Sequence, residues 1–176
     1  MYKKVSSAII TILATAAILT VLSSEHQLSN AQTNQSLESK ILAVHNSERT
    51  KVGVAPLTWS NSLAAGAQAW AEHVATTGKV VHDPGRGAVG ENMAGFFSDV
   101  SEPCCGQSAW VAEKSLYHGG PSFSAVGHYT QMVWANSKQV GCGTAFSRGL
   151  DYSILVCRYD PPGNWPGQLP YPGAAP

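Results

Sequence analysis

The stretch VGCGTAFSRGLDYSILVCRY, residues 140–159, contains two apolar segments rich in strand-forming residues. A short polar connection at 147–151, which includes Gly149, joins them and suits a turn. Two such segments separated by a turn predict an antiparallel β-hairpin. In a hairpin centred on this turn Cys142 and Cys157 face each other, and we therefore predict a disulfide between them.

The stretch before the hairpin, GHYTQMVW (127–134), alternates polar and bulky residues and predicts a further strand. The polar turn 136–138 separates it from the hairpin. We therefore expect a small antiparallel sheet with strands at roughly 128–135, 139–146 and 153–159. His128 would stand at the start of the first strand, and this placement raises the question of what an imidazole does there.

Three helices are predicted before these strands from their caps and from apolar residues spaced for one face. They run from the N-cap Ser36 to about Gly53, from the N-cap Ser60 to Gly78, and from 106 to 117. Residues 80–95 are rich in glycine and predict irregular structure. Helices on both sides of a small antiparallel sheet indicate a layered α+β domain.

The N-terminal residues 1–31 have the features of a secretory signal peptide. Lys3 and Lys4 precede an apolar run at 8–22, and small residues lead up to a cleavage site before Gln32. The alternative is a membrane anchor, but this run is shorter than the roughly 20 residues that span a bilayer. We therefore expect a secreted, extracellular protein with no stable membrane insertion, with its domain at 32–160.

The charge balance excludes some classes of partner. Without residues 1–31 the chain has nine basic and ten acidic side chains, and no basic run or patch. Nucleic acids and anionic membrane surfaces are therefore not expected partners, and no protein partner is indicated.

Cys104 and Cys105 are adjacent, and the sequence leaves three states open: free and reactive thiols, a strained bridge, or bonds to another molecule.

Histidine and glutamate side chains that could act in catalysis or bind a metal lie in the irregular segment and near the ends of the predicted elements. They are His82 and Glu91 in the glycine-rich segment, Glu113 in the third helix, and His128. Any one of them alone has an ordinary explanation, because single histidines are commonly hydrogen-bonded structural residues and helical glutamates are commonly solvated.

Four motifs together resemble the CAP superfamily, which comprises cysteine-rich secretory proteins, insect-venom antigen 5 and plant class 1 pathogenesis-related proteins. The motifs are GEN (90–92), WVAEKSLY (110–117), GHYTQMVW (127–134) and LVCRYDPPGNWPGQLPY (155–171). The resemblance runs from about 37 to 171 and is closest to short plant-type and bacterial members. It implies a three-layer α-β-α sandwich with a cavity lined by two histidines and two glutamates. These correspond to His82, Glu91, Glu113 and His128.

Such a group is suited to a divalent metal. Two carboxylates in a partly desolvated cleft repel each other unless a proton or a cation lies between them. Imidazoles and carboxylates are zinc ligands, and we therefore expect zinc or another divalent cation at His82, Glu91, Glu113 and His128. The alternative is a hydrogen-bonded structural cluster that binds no ion.

The resemblance does not imply a shared reaction. The chain contains no HExxH helix and no recognisable nucleophile with its base, and we expect a non-enzymatic protein, with a metal-dependent hydrolase as the alternative. Some family members bind lipids, so the resemblance implies a sterol or fatty acid as a partner. The resemblance also implies a role in defence or host interaction. Phe96, Phe97 and Phe123 are candidate contacts.

The C-terminal residues 161–176 hold six of the ten prolines and predict a tail on the surface or a mobile one. Plant members release a short peptide ending in PY, and residues 161–171 match it, although the five residues 172–176 extend beyond the match. Arg158, shortly before this tail, is a second departure from the match, because the plant pattern has asparagine there. One departure concerns the site: the loop between His82 and Glu91 is two residues longer than in the plant pattern, which could displace His82.

Overall fold

A computed structural model of the protein describes residues 37–97 and 104–174. Its helices there are α1 (37–51), α2 (Asn61–Thr77), α3 (Cys104–Ala112) and α4 (Gly127–Met132). Its strands are β1 (Thr58–Trp59), β2 (Gly90–Phe96), β3 (Gln139–Ser147) and β4 (Tyr152–Asp160). The predicted signal segment 1–31, its cleavage before Gln32 and the N-cap Ser36 lie outside the described residues. None of the helices in the described ranges has the length and apolarity needed to cross a bilayer.

Strands β3 and β4 form the predicted hairpin, in a register that sets Cys142 opposite Cys157. The two sulfurs are bonded, and the Cα atoms of the pair are 4.1 Å apart. Strand β2 pairs antiparallel with the other edge of β4, and the short β1 pairs parallel with β3. The sheet therefore has the order β1-β3-β4-β2, which leaves β2 at one edge.

The predicted strand at 128–135 is wrong, because Gly127–Met132 form the helix α4. Alternation of polar and bulky residues did not mark two faces here: Tyr129, Thr130, Gln131 and Met132 are all buried. The backbone N–H groups of His128 and Tyr129 each donate a hydrogen bond to the Glu113 carboxylate, at a distance of 3.0 Å. This contact satisfies two of the donors that the start of a helix leaves unpaired.

The other neighbour of β4 is β2, which lies, except for its last residue, in the segment 80–95 predicted to be irregular. Its seven residues, Gly90 to Phe96, pair along nearly the whole of β4, from Tyr159 to Ser153. Glycines lower the strand propensity of this segment, but pairing with a buried neighbour outweighs that local preference. The prediction failed because the ladder is a tertiary interaction.

Helix α2 has the predicted boundaries. Its N-cap Ser60 accepts a hydrogen bond from the backbone N–H of Leu63 at 3.4 Å, and Gly78 ends it with a φ of 68°. The third predicted helix is divided, because α3 ends at Ala112 and a 3₁₀ turn, Glu113–Leu116, follows it. Glu113 therefore stands where the helical geometry changes.

The two faces of the sheet are covered by different helices. Helix α2 packs on one face, with Ala67, Ala71 and Val74 against Ile154 and Val156 of β4. Tyr159 belongs to the opposite face, where its hydroxyl contacts His45 of α1 at 2.8 Å. On that side Arg49 of α1 donates to the carbonyl oxygens of Met132, Trp134 and Ser137. The predicted α-β-α sandwich of the α+β class is confirmed.

The C-terminal residues 161–174 are a strap along α4 and the segment after it. The backbone N–H of Ala135 donates to the Pro170 carbonyl at 2.7 Å, and that of Gly120 donates to the Ala174 carbonyl at 2.9 Å. Asn164, which has a φ of 58°, donates from its amide to the Gly127 carbonyl at 2.8 Å. Pro170 and Ala174 are buried, while the turn at 165–169, which precedes Pro170, is exposed.

Candidate functional site

The first half of the site lies at the start of β2. His82 Nδ1 and Glu91 Oε1 are 2.7 Å apart, and the backbone N–H of Asp83 donates to the same oxygen at 3.0 Å. The Glu91 side chain is fully buried, whereas 55% of the His82 side chain is exposed. The longer loop between these residues does not separate them, because the imidazole remains on the carboxylate.

Arg158 lies beside this pair. The β2–β4 register places Arg158 directly opposite Glu91, and the distance from Arg158 Nε to Glu91 Oε2 is 3.5 Å. The guanidinium also forms a salt bridge with the Asp83 carboxylate. The first half of the site is therefore an imidazole, two carboxylates and one guanidinium.

The second half of the site joins the 3₁₀ turn to α4. His128 Nδ1 and Glu113 Oε1 are 2.6 Å apart, while Glu113 Oε2 accepts the two backbone N–H groups at the start of α4. Trp110 of α3 stacks on the His128 ring, with the ring centroids 5.7 Å apart and the planes at 12°. The carboxylate and the indole together fix the orientation of this imidazole.

Asn92 connects the two halves. Its amide donates to the His128 carbonyl at 3.0 Å and to the Tyr159 hydroxyl at 3.2 Å. Glu91 and Asn92 are consecutive in a strand, so their side chains point to opposite faces. Glu91 is on the α2 side with Arg158, and Asn92 is on the side of α1, α3 and α4. The two histidine–glutamate pairs therefore flank the edge strand β2.

His45 lies behind this network in the core. Its Nδ1 donates to the Ile41 carbonyl at 2.9 Å, so its Nε2 accepts the Tyr159 hydroxyl at 2.8 Å. Burial, with the help of the nearby Arg49 charge, lowers the pKa of His45 to about 4. Burial also raises the pKa of Tyr159, which keeps this hydroxyl a donor.

The four predicted residues thus form two histidine–glutamate pairs, His82 with Glu91 and His128 with Glu113. Among residues 37–97 and 104–174, no group of three or more His, Cys, Asp or Glu side chains is placed to hold a metal ion. In each pair the carboxylate engages Nδ1, and no hydrogen bond to Nε2 of His82 or His128 is found in the described part of the chain. Whether the four side chains form a metal site stays a prediction.

Sequence reasoning did not identify Asp83, Asn92 and His45 as parts of the site. Asn92 could have been found, because it directly follows Glu91 in the GEN motif and a strand would send it to the other face. Asp83 neighbours His82, but its partner Arg158 is distant in sequence. His45 has no local signal, since its position in α1 looks like any buried helical position.

A separate groove lies between α1 and α3, with a volume of about 460 Å³. Apolar side chains, two serines and one carboxylate line it: Ala43, Val44, Ser47, Glu48, Ser108 and Val111. The three phenylalanines predicted as lipid contacts are not among these residues. Phe97 is 83% exposed and packs edge-on against Tyr152, and Phe123 packs against Trp134.

Comparisons with known proteins agree with this fold and with the motifs. Residues 42–159 match the model of the cysteine-rich secretory protein family, CAP. The chain is 38% identical over 148 residues to pathogenesis-related protein 1B of Nicotiana tabacum, covering 82% of this chain and 86% of that protein. It is 36% identical over 139 residues to pathogenesis-related protein 1 of Arabidopsis thaliana, covering 78% and 84%.

A solved structure with the same fold is the crystal structure of NaASP2 with Zn²⁺. It superposes with a TM-score of 0.66 at 25% identity, covering 80% of this chain and 87% of that one. Together with the sequence relatives and the family match, this similarity shows that the chain belongs to the CAP family of cysteine-rich secretory proteins.

Proposed function

We propose that this chain is a secreted, non-enzymatic CAP protein that binds one divalent metal ion, zinc being the expected ion. His82 and His128 would provide Nε2 as ligands, and Glu91 and Glu113 would hold the rings. The supporting observation is the contact of each Nδ1 with a carboxylate, at 2.7 and 2.6 Å. A ring that donates from Nδ1 keeps its Nε2 lone pair for a metal, and metal-ligating histidines usually have such a partner.

The donor set fits zinc, which accepts imidazole nitrogen readily. With two protein ligands, water molecules would fill the remaining positions of the ion, and a bound zinc ion would polarise them. The similarity to NaASP2, whose crystal structure is described with Zn²⁺, supports zinc as the first ion to test.

The carboxylates are poorly placed to act as general bases. Both oxygens of Glu113 already accept hydrogen bonds from His128 and from the start of α4. Glu91 is fully buried, with one oxygen bonded to His82 and Asp83 and the other facing Arg158. A base needs an oxygen within reach of the proton that it removes, so we favour binding over the alternative of a metal-dependent hydrolase.

Zinc titration of the protein by calorimetry tests the proposal. We expect about one ion bound per chain at neutral pH, and a loss of at least about 10-fold in affinity for His128→Ala, since a ligand is removed. His73→Ala is the matched control, because His73 lies on the exposed face of α2 and stacks on Trp70. Absence of zinc uptake, or an equal loss in both variants, would contradict the proposed site.

Secretion and a defence or host-interaction role are also part of this proposal. They are supported by the N-terminal segment 1–31 and by the names of the pathogenesis-related relatives. Protein recovered from the medium should begin at Gln32, which intact mass determination would establish before the titration. An uncleaved chain retained in the membrane fraction would contradict secretion.

A second candidate function is the binding of a fatty acid or sterol in the groove between α1 and α3. The supporting observation is the size of the groove, about 460 Å³, which lies in the range of small-molecule sites. Ala43, Val44 and Val111 supply apolar surface, and the partly exposed faces of these helices leave an entrance.

A fluorescent fatty acid tests this candidate by direct titration and by displacement with a sterol. Ala43→Trp should fill the groove and weaken binding by about 10-fold or more, because one large side chain occupies the volume that the ligand needs. Phe97→Ala, directly after β2, is the control and should leave the affinity unchanged. Binding that is insensitive to Ala43→Trp would place the ligand elsewhere.

A further inference from the structure

Arg158 brings a positive charge into the first half of the site, where it is paired with two carboxylates. Its guanidinium is bonded to Asp83 and its Nε is 3.5 Å from Glu91 Oε2. All three side chains are largely buried, with exposed fractions of 11%, 16% and 0% for Arg158, Asp83 and Glu91. In such surroundings solvent screens the charges only weakly, and the pairing determines the electrostatics of the site.

The two oxygens of Glu91 are in different states. Oε1 accepts hydrogen bonds from His82 and from the Asp83 backbone. Oε2 is buried and accepts none from any residue that the structure describes, so its charge is balanced by the guanidinium without a hydrogen bond. Glu91 Oε2 would be available to a cation if Arg158 did not occupy this place.

The fold provides room for the arginine. Its guanidinium passes under α2 at Gly66, where a Cβ atom would be only 2.5 Å from Arg158 Nη1. Glu91 and Arg158 are also direct partners in the β2–β4 ladder, so their side chains share a face. Arg158 therefore belongs to the site by register and by packing.

The chemistry of the site changes with this one charge. With Arg158 present, both carboxylates face the guanidinium and one of their two negative charges is cancelled, so the donors left for an ion are imidazole nitrogens, which suit zinc. Without it, Asp83 and Glu91 would form an anionic pair of oxygen donors beside His82, and such donors suit calcium and other hard cations.

We propose that Arg158 determines the ion selectivity of the site. By engaging Glu91 and Asp83 and cancelling one of their two negative charges, it favours ions that accept neutral imidazole ligands and disfavours calcium-like ions. This inference rests on the proposed zinc binding by His82 and His128, and it adds the reason for a preference among ions.

Calorimetric titrations with zinc chloride and with calcium chloride test the proposal. In Arg158→Gln the affinity for calcium relative to zinc should rise by at least about tenfold, because a full charge near the ion is removed. Arg158→Lys keeps a positive charge at this position and should therefore keep a ratio within about threefold of the unsubstituted chain. Arg148→Gln, in the exposed turn between β3 and β4, makes the same change in net charge away from the site and should have no effect.

Loss of Arg158 leaves two carboxylates facing each other, and Arg158→Gln could therefore fold poorly. The double variant Asp83→Asn/Arg158→Gln removes this repulsion and retains Glu91, and its calcium-to-zinc ratio is compared with that of Asp83→Asn alone. A several-fold rise supports the proposal, and an unchanged ratio overturns it.

The outcomes separate this inference from the proposed function. If the unsubstituted chain binds zinc and Arg158→Gln shows no gain for calcium, the role of Arg158 is overturned and zinc binding stands. If the unsubstituted chain binds no zinc, the proposed function fails, while a calcium gain in Arg158→Gln would still support the charge effect of Arg158.

Discussion

The hydrogen bonds of His45 require a neutral imidazole. The ring donates to Ile41 and accepts from Tyr159, whose hydroxyl also accepts from Asn92, the residue that holds the backbone of His128. A protonated ring could not accept the tyrosine proton, and a charge would have no solvent at this fully buried position. One buried histidine thus couples core stability to the backbone of the candidate site.

This coupling predicts a pH-dependent stability. Because the pKa of His45 falls from 6.5 to about 4 on folding, the unfolded chain binds more protons between these values. The contribution of His45 to the free energy of unfolding is therefore fully present above pH 6.5 and is lost as the pH falls towards 4. The loss amounts to about 3 kcal/mol, at 1.36 kcal/mol per pKa unit. Urea unfolding between pH 7 and pH 4 measures this loss.

His45→Gln separates this contribution from that of the acidic residues. The variant should be less stable at pH 7 and should show a shallower decline towards pH 4. His73→Gln, on the exposed face of α2, should retain the original slope. Parallel profiles for His45→Gln and the unsubstituted chain would show that this imidazole is not the group responsible.

At the scale of elements, the contact between α2 and β3 depends on two glycines in the segment VGCGTAF. A Cβ atom at Gly141 would be 2.2 Å from the backbone N of Ala64, and one at Gly143 would be 2.3 Å from the Cα of Gln68. Cys142 lies between them and points to the other face. The alternation of glycine and cysteine therefore lets the helix approach one face while the disulfide occupies the other.

Gly143→Ala should be clearly destabilising, because the added methyl group meets helix backbone that cannot rotate away. We expect a loss of about 1–3 kcal/mol or more in the free energy of unfolding, measured by urea denaturation. Gly149→Ala in the β3–β4 turn is the matched control, since no atom lies within 4 Å of its added Cβ. Equal stability of the two variants would contradict the close packing of α2 on β3.

The elements that could be predicted are those with local signals. Ser60 and Gly78 bound α2, and the turn at 147–151 bounds the hairpin. Helix α4 could not be predicted from its own residues, because a carboxylate from another element, Glu113, caps its start. The resemblance identified the four site residues, but their division into two pairs depends on the position of β2 at the sheet edge, which is a tertiary property.

At the scale of the whole molecule, the C-terminal strap (161–174) links helix α4 to the chain segments before and after it. Gln131 and Thr130 of α4 bond to Gly163 and Asn164, and Ala135 and Gly120 bond to the distal end of the strap. Asn164 also binds the carbonyl of Gly127, the residue before His128. The strap therefore supports the helix that carries one of the proposed metal ligands.

Truncation after Pro162 should lower the free energy of unfolding by about 5 kcal/mol, since the five hydrogen bonds just described, worth about 1 kcal/mol each, are lost. The truncated chain should also bind zinc more weakly, because α4 loses its support at Gly127 and Thr130. Leu169→Ala, in the exposed turn of the strap, should change stability by less than about 0.5 kcal/mol. An unchanged unfolding midpoint after truncation would mean that the strap is dispensable for the fold, and it would favour the alternative in which residues 161–171 leave the protein as a peptide.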